Sequence, residues 1–357
     1  MSSQPLVSAI LPVYNVQDYL EASVESLVKQ VYPHIEIIIV NDGSTDNSGI
    51  ICNKLAERYP NVTAIEQKNS GAAAARNTGM TIAKGKYYYF MDPDDVLLDD
   101  YIGAMVHQAE QDNAQLVIAG FSNLYESSEK TEKTFVTSET RKYETVAEFH
   151  NDAARLLNNT QLAVPWNKLY RADFLNQNNL RFPSVKWDDL HFNLEVIRNI
   201  SRVSLVNNTG YQFLRVRPGS ESDGVFNTSL FENRKKQFKH VLDVFNSWDE
   251  TDSQTRSELS YYFITRVFEV IEQITVNDDM GKNEKMTRVN DCLRDSLVVQ
   301  YAKTCSPSSG LMKVILWPLL NNKTGMTYFV GRLVGTAHRS LPGVFRRVKV
   351  TIMRIRS

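Results

Sequence analysis

The stretch IEIIIVNDGSTDNS, residues 35–48, is the part of the sequence that decides the fold class. Its first six residues are mostly β-branched and apolar, a pattern typical of a strand that is buried on both faces. The polar residues that follow are typical of a turn that opens a helix, with Ser44 or Thr45 as the predicted N-cap. A strand that passes directly into a helix predicts a parallel α/β sheet.

The same alternation extends to both sides of this stretch. Short apolar runs predict strands, and apolar residues at 3–4 spacing predict helices. The predicted strands are residues 6–13, 35–40, 62–65, 86–91 and 115–119. The predicted helices are residues 18–30, 46–59, 71–84 and 99–111. This order favours right-handed crossovers within one sheet.

The later part of the chain has a different character. Residues 121–160 are polar, and we interpret them as an irregular or two-stranded insertion, followed by short helices and strands up to residue 226. Apolar residues at helical spacing then predict helices over residues 228–300. The predicted domains are 1–226, with halves 1–120 and 121–226, and a mainly helical domain 227–357 that ends in a basic tail.

Composition excludes several classes of protein. The chain has 357 residues, of which 42% are hydrophobic and 23% are charged, as is ordinary for a globular protein. Its three cysteines are too few and too scattered for a disulfide framework. No apolar run reaches the ~18 residues of a membrane span, and the first residues lack the basic segment of a signal peptide. We therefore expect a cytoplasmic protein.

The net charge of −1 conceals a strong asymmetry along the chain. Residues 296–357 contain four Lys and six Arg but no Asp or Glu, so this basic tail carries +10. The first 295 residues therefore carry −11, which is the difference between −1 and +10. The acidic region is a poor partner for nucleic acid, and no nucleic-acid partner is expected, whereas the basic tail favours an anionic surface.

Three carboxylates, Asp92, Asp94 and Asp95, follow directly after the predicted strand at residues 86–91. Ligands of open α/β sheets bind at the carboxyl ends of the strands, so these acids are expected at a binding edge. Asp92 and Asp94 can converge on one Mg²⁺ or Mn²⁺, which would also hold a diphosphate. The alternative is structural, with Asp94 or Asp95 as the cap of the helix predicted after residue 98.

Two other polar residues follow or adjoin predicted strands. Asp42 is positioned to accept hydrogen bonds from a base or a ribose, or else to serve only its own turn. Arg76, on an alanine-rich predicted helix, is either a phosphate partner or a member of a structural salt bridge. The sequence has no GxGxxG after its first strand, no GxxxxGK[ST] and no GxSxG. Dinucleotide-binding Rossmann enzymes, P-loop kinases and enzymes with a nucleophile elbow are therefore disfavoured.

Four motifs, taken together, carry a resemblance to a known family. They are ILPVYN (10–15), IIIVNDGSTDNS (37–48), KNSGAAAARNTGM (68–80) and YYYFMDPDD (87–95). In this order and spacing, the chain resembles family 2 glycosyltransferases, the inverting GT-A class, over residues 6–102. The looser match continues at 164–175, 187–197 and 211–220, and it is similar to bacterial enzymes that decorate teichoic acids, capsules or exopolysaccharides.

The resemblance implies a GT-A fold, which is a Rossmann-like, mostly parallel sheet flanked by helices, followed here by a mainly helical C-terminal region. It implies the transfer of a sugar from a nucleotide-diphospho-sugar, with UDP as the nucleotide, to a hydroxyl group. The implied acceptor is a polysaccharide, a teichoic acid or a lipid-linked glycan. No tryptophan follows an arginine, so the Gln-x-x-Arg-Trp motif of processive members is missing and one sugar per encounter is expected.

The resemblance also implies roles for individual residues in the chemistry. Asp189 corresponds to the catalytic base, in an acidic pair whose first member is Asp188 instead of the usual Glu. Asp94 would bind the Mn²⁺ or Mg²⁺ cofactor, with Asp92 on the metal or on the ribose. Asp188 would lie on the acceptor side. Sugar acceptors stack on aromatic faces, so Trp166 and Trp187, which lies two residues before Asp189, either line the acceptor groove or belong to the core.

The resemblance implies a nucleotide-sugar site of ten residues. Pro12, Val13 and Tyr14 would line the nucleobase pocket, and Asp42 would bond the uracil. Arg217 and Ser220 match a motif that often faces the diphosphate. The full set is Pro12, Val13, Tyr14, Asp42, Asn69, Arg76, Asp92, Asp94, Arg217 and Ser220.

Two other interpretations of the whole chain stay open. A catalytically silent GT-A module would bind a nucleotide or polymer and scaffold a membrane-associated complex, although it would not need Asp92, Asp94 and Asp189. A nucleotidyltransferase on a similar sheet would need a Gly-rich, basic phosphate loop near its first strand. The segment ILPVYN does not supply such a loop.

The basic tail contains two apolar segments, residues 310–320 and 328–336, interleaved with Lys and Arg. Both are too short to span a bilayer, but they can lie in its interface with their cations on anionic head groups, at the inner face of the cell membrane. The alternative is a helical cap or homo-oligomer interface. In that arrangement the apolar face packs on protein and the cations meet the acidic catalytic part.

Overall fold

The computed structural model describes residues 4–98, 100–126, 131–214, 229–248, 252–307 and 309–340. The chain divides into two compact units, Met1–Phe149 with Thr160–Pro218 and His150–Asn159 with Gly219–Ser357. The domain boundary predicted at 226/227 lies outside the described residues and stays a prediction.

The first unit alternates strands and helices from its first element onward. Its strands are β1 (Val7–Val13), β2 (Ile35–Asn41), β3 (Val62–Glu66), β4 (Tyr87–Phe90), β5 (Val96–Leu97), β6 (Leu116–Ala119), β7 (Phe121–Glu126), β8 (Thr131–Val136), β9 (Arg141–Lys142), β10 (Lys168–Arg171), β11 (Val203–Val206) and β12 (Tyr211–Leu214). Its helices are α1 (Leu20–Val28), α2 (Ser48–Arg58), α3 (Ala72–Ile82), α4 (Tyr101–Asp112), α6 (Ala172–Gln177) and α7 (Asp188–Arg198), and α5 (Val146–Asn158) passes from this unit into the second.

Eight strands form the main sheet, in the order β3-β2-β1-β4-β10-β6-β11-β9. The pairs β3–β2, β2–β1, β1–β4 and β6–β11 are parallel, whereas β10 lies antiparallel between β4 and β6. The register pairs Val13 with Asn41 and Ile10 with Phe90. The chain segments that follow β1, β2 and β4 therefore leave the sheet at the same edge, as expected for a parallel α/β sheet.

The prediction of a strand buried on both faces is confirmed at β2, where six of the seven residues are buried. All seven residues of β1 are buried as well. Alternate residues of a strand point to opposite faces. One face of β1 belongs to the same apolar cluster as the buried side chains of α1, and Ile10 on the other face lies against α3. The layers of helix, sheet and helix, together with the helical C-terminal region, confirm the predicted fold class.

Residues 121–160 differ in part from the prediction of an irregular or two-stranded insertion. The two strands are present as the antiparallel pair β7–β8, which joins β12 and β5 in a second, four-stranded sheet. The segment also contains the helix α5, whose buried residues include Phe149, Ala153, Leu156 and Leu157. These residues have a helical spacing, but the segment as a whole is polar, so its composition does not indicate a helix.

The second unit is helical, which confirms the prediction for residues 228–300. Its helices are α8 (Leu230–Asn246), α9 (Ser253–Val276), α10 (Lys282–Arg294), α11 (Ser296–Ala302), α12 (Gly310–Leu320) and α13 (Thr324–Ser340). Helix α13 packs on α9 through glycines, since a Cβ at Gly335 would lie 2.6 Å from Val276. None of the helices in the described ranges is long and apolar enough to cross a membrane.

Candidate active site

The loops that follow β1 and β2 are joined by side-chain hydrogen bonds. The Asn15 carboxamide oxygen accepts from the backbone N–H of Thr45 at 2.8 Å, and the Ser48 hydroxyl accepts from the N–H of Val16 at 2.9 Å. Pro12 and Val13, predicted to line the nucleobase pocket, are buried at the end of β1, and Tyr14 just beyond them is exposed. The sequence NDGSTDNS thus fixes the position of the segment that starts at Tyr14.

Asp42 is buried, and its carboxylate organises the turn before α3. One oxygen accepts from the Gln67 side chain at 2.7 Å and from the N–H of Ser70 at 2.8 Å, and the other accepts from the N–H of Gly71 at 2.7 Å. Gly43 has φ of +69°, and a Cβ there would lie 2.9 Å from the backbone N of Asn69. The Asp42 side chain therefore organises the turn before α3, and not only the turn to which it belongs, while its role with uracil stays a prediction.

Arg76, on α3, connects three carboxylates from two other parts of the chain. Its guanidinium lies 2.9 Å from Asp92 after β4, 3.1 Å from Asp188 and 2.8 Å from Asp189, both in the first turn of α7. The Arg76 side chain is only 5% exposed. The resemblance to family 2 glycosyltransferases assigns separate roles to these four residues, and the fold brings them together. We call Arg76, Asp92, Asp188 and Asp189 the Arg76 cluster.

The electrostatics of the Arg76 cluster are those of buried, mutually dependent charges. Burial by itself would lower the pKa of Arg76, but Asp189, Asp92 and Asp188 raise it overall. Burial raises the pKa of Asp92 because the attraction of Arg76 does not offset desolvation and the repulsion from Asp189 and Asp94. Burial likewise raises the pKa of Asp188. Arg76 therefore forms salt bridges, in a three-carboxylate cluster, and its role with a phosphate stays a prediction.

Asp95 has a structural position, but it is not the helix cap that the sequence allowed. Helix α4 begins at Tyr101 and has Asp100 at its N-cap. The buried carboxylate of Asp95 instead accepts from the Tyr211 hydroxyl and, at 2.8 Å, from the N–H of Leu214. Asp95 therefore ties the segment that carries Asp92 and Asp94 to β12.

The two tryptophans considered for the acceptor groove have different environments. Trp166 is buried and stacks on Tyr211, with 4.2 Å between ring centroids, so it belongs to the core. Trp187 is half-buried and is the residue that precedes α7. Its φ of +59° is left-handed, which is uncommon for a bulky residue and is a form of backbone strain often found at functional sites.

A buried polar network, which cannot be recognised in the sequence, holds the start of α7. The Asn193 side chain donates to the backbone oxygen of Asp189 at 2.9 Å and accepts from the Tyr170 hydroxyl at 2.7 Å. It also donates to the carbonyl of Ala163, in a loop whose other carbonyls accept from the fully buried Lys168 ammonium. The segment VPWNKLY, residues 164–170, contains the network members Lys168 and Tyr170, but nothing in the sequence indicates that these two polar side chains are buried.

The Arg76 cluster and Asp94 fit a divalent cation on grounds of charge. With all four carboxylates ionised, the single guanidinium of Arg76 leaves an excess of negative charge at Asp92, Asp94, Asp188 and Asp189. The described ranges contain no group of three or more His, Cys, Asp or Glu side chains arranged to bind a metal. Mg²⁺ is commonly bound by one or two carboxylates plus substrate phosphates, so two carboxylates such as Asp92 and Asp94 would be enough protein ligands for it.

Two of the predicted nucleotide-sugar residues, Arg217 and Ser220, lie outside the described residues. The other eight all belong to the first unit. Of these, Asn69 is exposed on the turn that Asp42 organises, and Arg76 and Asp92 are salt-bridged to each other.

Replacing Arg76 with Met should lower the free energy of unfolding by about 3 kcal/mol or more, because three partly buried carboxylates would lose their cation. Urea denaturation of metal-free protein, followed by circular dichroism, measures this change. The matched control is Arg58→Met. Arg58 also bridges carboxylates, those of Glu21 and Glu25, but it is 55% exposed, and the expected loss is below about 1 kcal/mol. Equal losses in both variants would contradict a buried Arg76 cluster.

Comparisons with known proteins identify the family to which the chain belongs. The family model for Glycosyl transferase family 2 matches residues 8–178. The uncharacterized glycosyltransferase EpsJ of Bacillus subtilis is 32% identical over 248 residues, which cover 68% of this chain and 71% of EpsJ. Cholesterol galactosyltransferase of Borreliella burgdorferi is 28% identical over 322 residues, 87% of this chain and 90% of the relative. In contrast, the chain spans only 31% of the length of GlyA, a glycosyltransferase of Streptococcus pneumoniae.

Among solved structures, S. aureus TarS 1-349 in complex with UDP-GlcNAc matches with a TM-score of 0.65 at 17% identity. The match covers 94% of this chain and 91% of the TarS chain, so the two share a fold. The EpsJ relative and the family model show the family. The chain therefore belongs to glycosyltransferase family 2, and it has the GT-A fold that the sequence predicts.

Proposed function

We propose that the protein is an inverting, metal-dependent glycosyltransferase that moves one sugar from a UDP-sugar to a hydroxyl of a polysaccharide, a teichoic acid or a lipid-linked glycan. The observation that carries the proposal is the Arg76 cluster. It brings the proposed base, Asp189, into one site with Asp92, the first carboxylate that follows β4. TarS, which shares the fold, is known in complex with UDP-GlcNAc.

The chemistry divides between two groups of carboxylates. An acceptor hydroxyl is a weak nucleophile, and Asp189 would take its proton as the bond to the anomeric carbon forms. A base on the face opposite the leaving group gives in-line attack and inversion. Mn²⁺ or Mg²⁺, held by Asp94 and Asp92, would supply Lewis-acid stabilisation to the departing diphosphate.

The other proposed site residues contact either the acceptor or the nucleotide-sugar donor. Trp187 and Asp188, which precede and begin α7 next to Asp189, would contact the acceptor. The exposed Tyr14 offers an aromatic face for the nucleobase of the donor. The proposed nucleotide-sugar residues are Pro12, Val13, Tyr14, Asp42, Asn69, Arg76, Asp92, Asp94, Arg217 and Ser220.

A screen of UDP-sugars with Mn²⁺ or Mg²⁺, measured as release of UDP, tests the proposal. At least one UDP-sugar should be hydrolysed, slowly without acceptor and faster with one, because water can replace the acceptor hydroxyl. Calorimetric binding of UDP-sugars without UDP release, with or without acceptor polymers, would support the silent GT-A module instead.

We further propose that the enzyme works at the inner face of the cell membrane, where the basic tail contacts anionic lipid. The charge of +10 over residues 296–357 supports this placement, since acidic head groups attract it. Acceptors built on lipid carriers would be found there. Cholesterol galactosyltransferase, a relative that matches most of this chain, has a membrane lipid as its named acceptor. A homo-oligomer through the same tail is the competing proposal.

A further inference from the structure

Helices α12 and α13 each have one face packed inside the second unit and one apolar face in solvent. The buried face includes Leu316 and Leu319 on α12 and Tyr328 on α13. On the opposite, solvent-exposed side, the two helices present six large apolar side chains at helical spacing. We call this surface the outer face. The six side chains are Leu311, Val314 and Trp317 on α12, and Met326, Phe329 and Leu333 on α13.

The exposure of this outer face is not that of scattered surface residues. Val314 is 71% exposed, Phe329 66% and Leu333 61%, and the residues lie on two consecutive helices joined by a three-residue turn. Contiguous exposed apolar patches on a folded protein mark contacts with a partner or a membrane. The inner faces of both helices are already satisfied by packing, so the outer face is available for such a contact.

The charged residues around the outer face indicate whether its partner is a protein or a membrane. Lys313, Lys323 and Arg332 are exposed beside it, and none of the three forms an ion pair with another residue in the described ranges. By contrast, Arg339 and His338, at the end of α13, lie 3.2 Å from Asp278 and 3.1 Å from Glu272 on the protein side. The cations next to the apolar face are therefore not engaged by a carboxylate of the described residues and can meet an anionic partner.

We infer that the outer face of α12 and α13 is a docking surface for an anionic lipid bilayer. Apolar side chains, including Trp and Phe, flanked by Lys and Arg and without Asp or Glu, are the composition of helices that lie in the membrane interface. A symmetric contact with a second copy is less favourable, since it would place the same three cations opposite one another. This inference rests on the proposed membrane placement and names the residues that make the contact.

Flotation of the full chain with vesicles tests the inference. Wild-type protein should float with vesicles of phosphatidylglycerol and phosphatidylcholine, and only weakly with pure phosphatidylcholine. The variant Val314→Ser/Phe329→Ser/Leu333→Ser should bind the anionic vesicles at least about 10-fold more weakly than wild type, because three apolar side chains no longer enter the interface. The variant Lys313→Gln/Lys323→Gln/Arg332→Gln should lose up to about 100-fold, since each cation contributes about fivefold.

The matched control is Val31→Ser/Ile50→Ser, which removes two comparably exposed apolar residues from the first unit and should bind like wild type. Flotation of the outer-face variant equal to wild type would overturn the inference. So would a wild-type dimer that becomes monomeric in that variant, because the face would then be a protein interface. UDP-sugar hydrolysis without vesicles separates the two proposals, since its absence in wild type contradicts the proposed enzyme and not the surface.

Discussion

Asp189→Asn should lower the rate of sugar transfer by about 100-fold or more, while the affinity for the UDP-sugar changes by less than about twofold. Asparagine keeps the shape of the side chain and can still accept the hydrogen bond from Arg76, which is 2.8 Å from Asp189. It cannot take the proton of the acceptor hydroxyl. UDP release at saturating donor measures the rate, and calorimetry with UDP measures the affinity.

The control for this prediction is Asp188→Asn. Asp188 is in the same helical turn and contacts the same guanidinium, at 3.1 Å, so the two variants change the charge of the Arg76 cluster equally. We expect Asp188→Asn to keep at least about a tenth of the wild-type rate, because a contact to the acceptor is worth less than the proton transfer. If Asp189→Asn were normal and Asp188→Asn inactive, the base would be the other carboxylate.

The parallel part of the main sheet, β3-β2-β1-β4, could be predicted from the sequence because its information is local. β1 and β2 are largely apolar, and each is followed by polar residues typical of turns, so the pattern of the strand and the signal for its end agree. The antiparallel position of β10 between β4 and β6 could not be predicted. The four-stranded sheet could not be predicted either. It pairs Tyr211 with Leu97 and Phe213 with Asn123, and nothing in the short two- and four-residue strands β5 and β12 indicates those partners.

The candidate site shows the same division. The sequence identified Arg76, Asp92, Asp188 and Asp189 as separate signals, but Arg76 is 112 residues from Asp188, and only the fold brings them together. Lys168 carried no signal of burial, since lysines are almost always exposed. Its ammonium is enclosed by carbonyl oxygens of one loop, an environment that depends on the backbone path and not on residue type.

Removal of divalent metal should abolish sugar transfer, and Mn²⁺ or Mg²⁺ should restore it. The leaving nucleoside diphosphate gains negative charge, and it would do so beside Asp92, Asp94, Asp188 and Asp189, whose charges Arg76 offsets only in part. A divalent cation is the direct way to stabilise that charge. To test this, UDP release is measured in excess EDTA and then again as Mn²⁺ or Mg²⁺ is titrated back. Asp94→Asn should raise the metal concentration at half-maximal rate by about 10-fold or more.

Asp100→Asn is the control for the metal prediction, since Asp100 is an exposed carboxylate on the same segment and its metal titration should match wild type. Full turnover in excess EDTA would contradict the prediction. The diphosphate would then need a cation from the protein, and Arg76 is a poor source because its guanidinium is engaged by three carboxylates at 2.8 to 3.1 Å. Arg217 would become the residue to test, since the resemblance places it at the diphosphate.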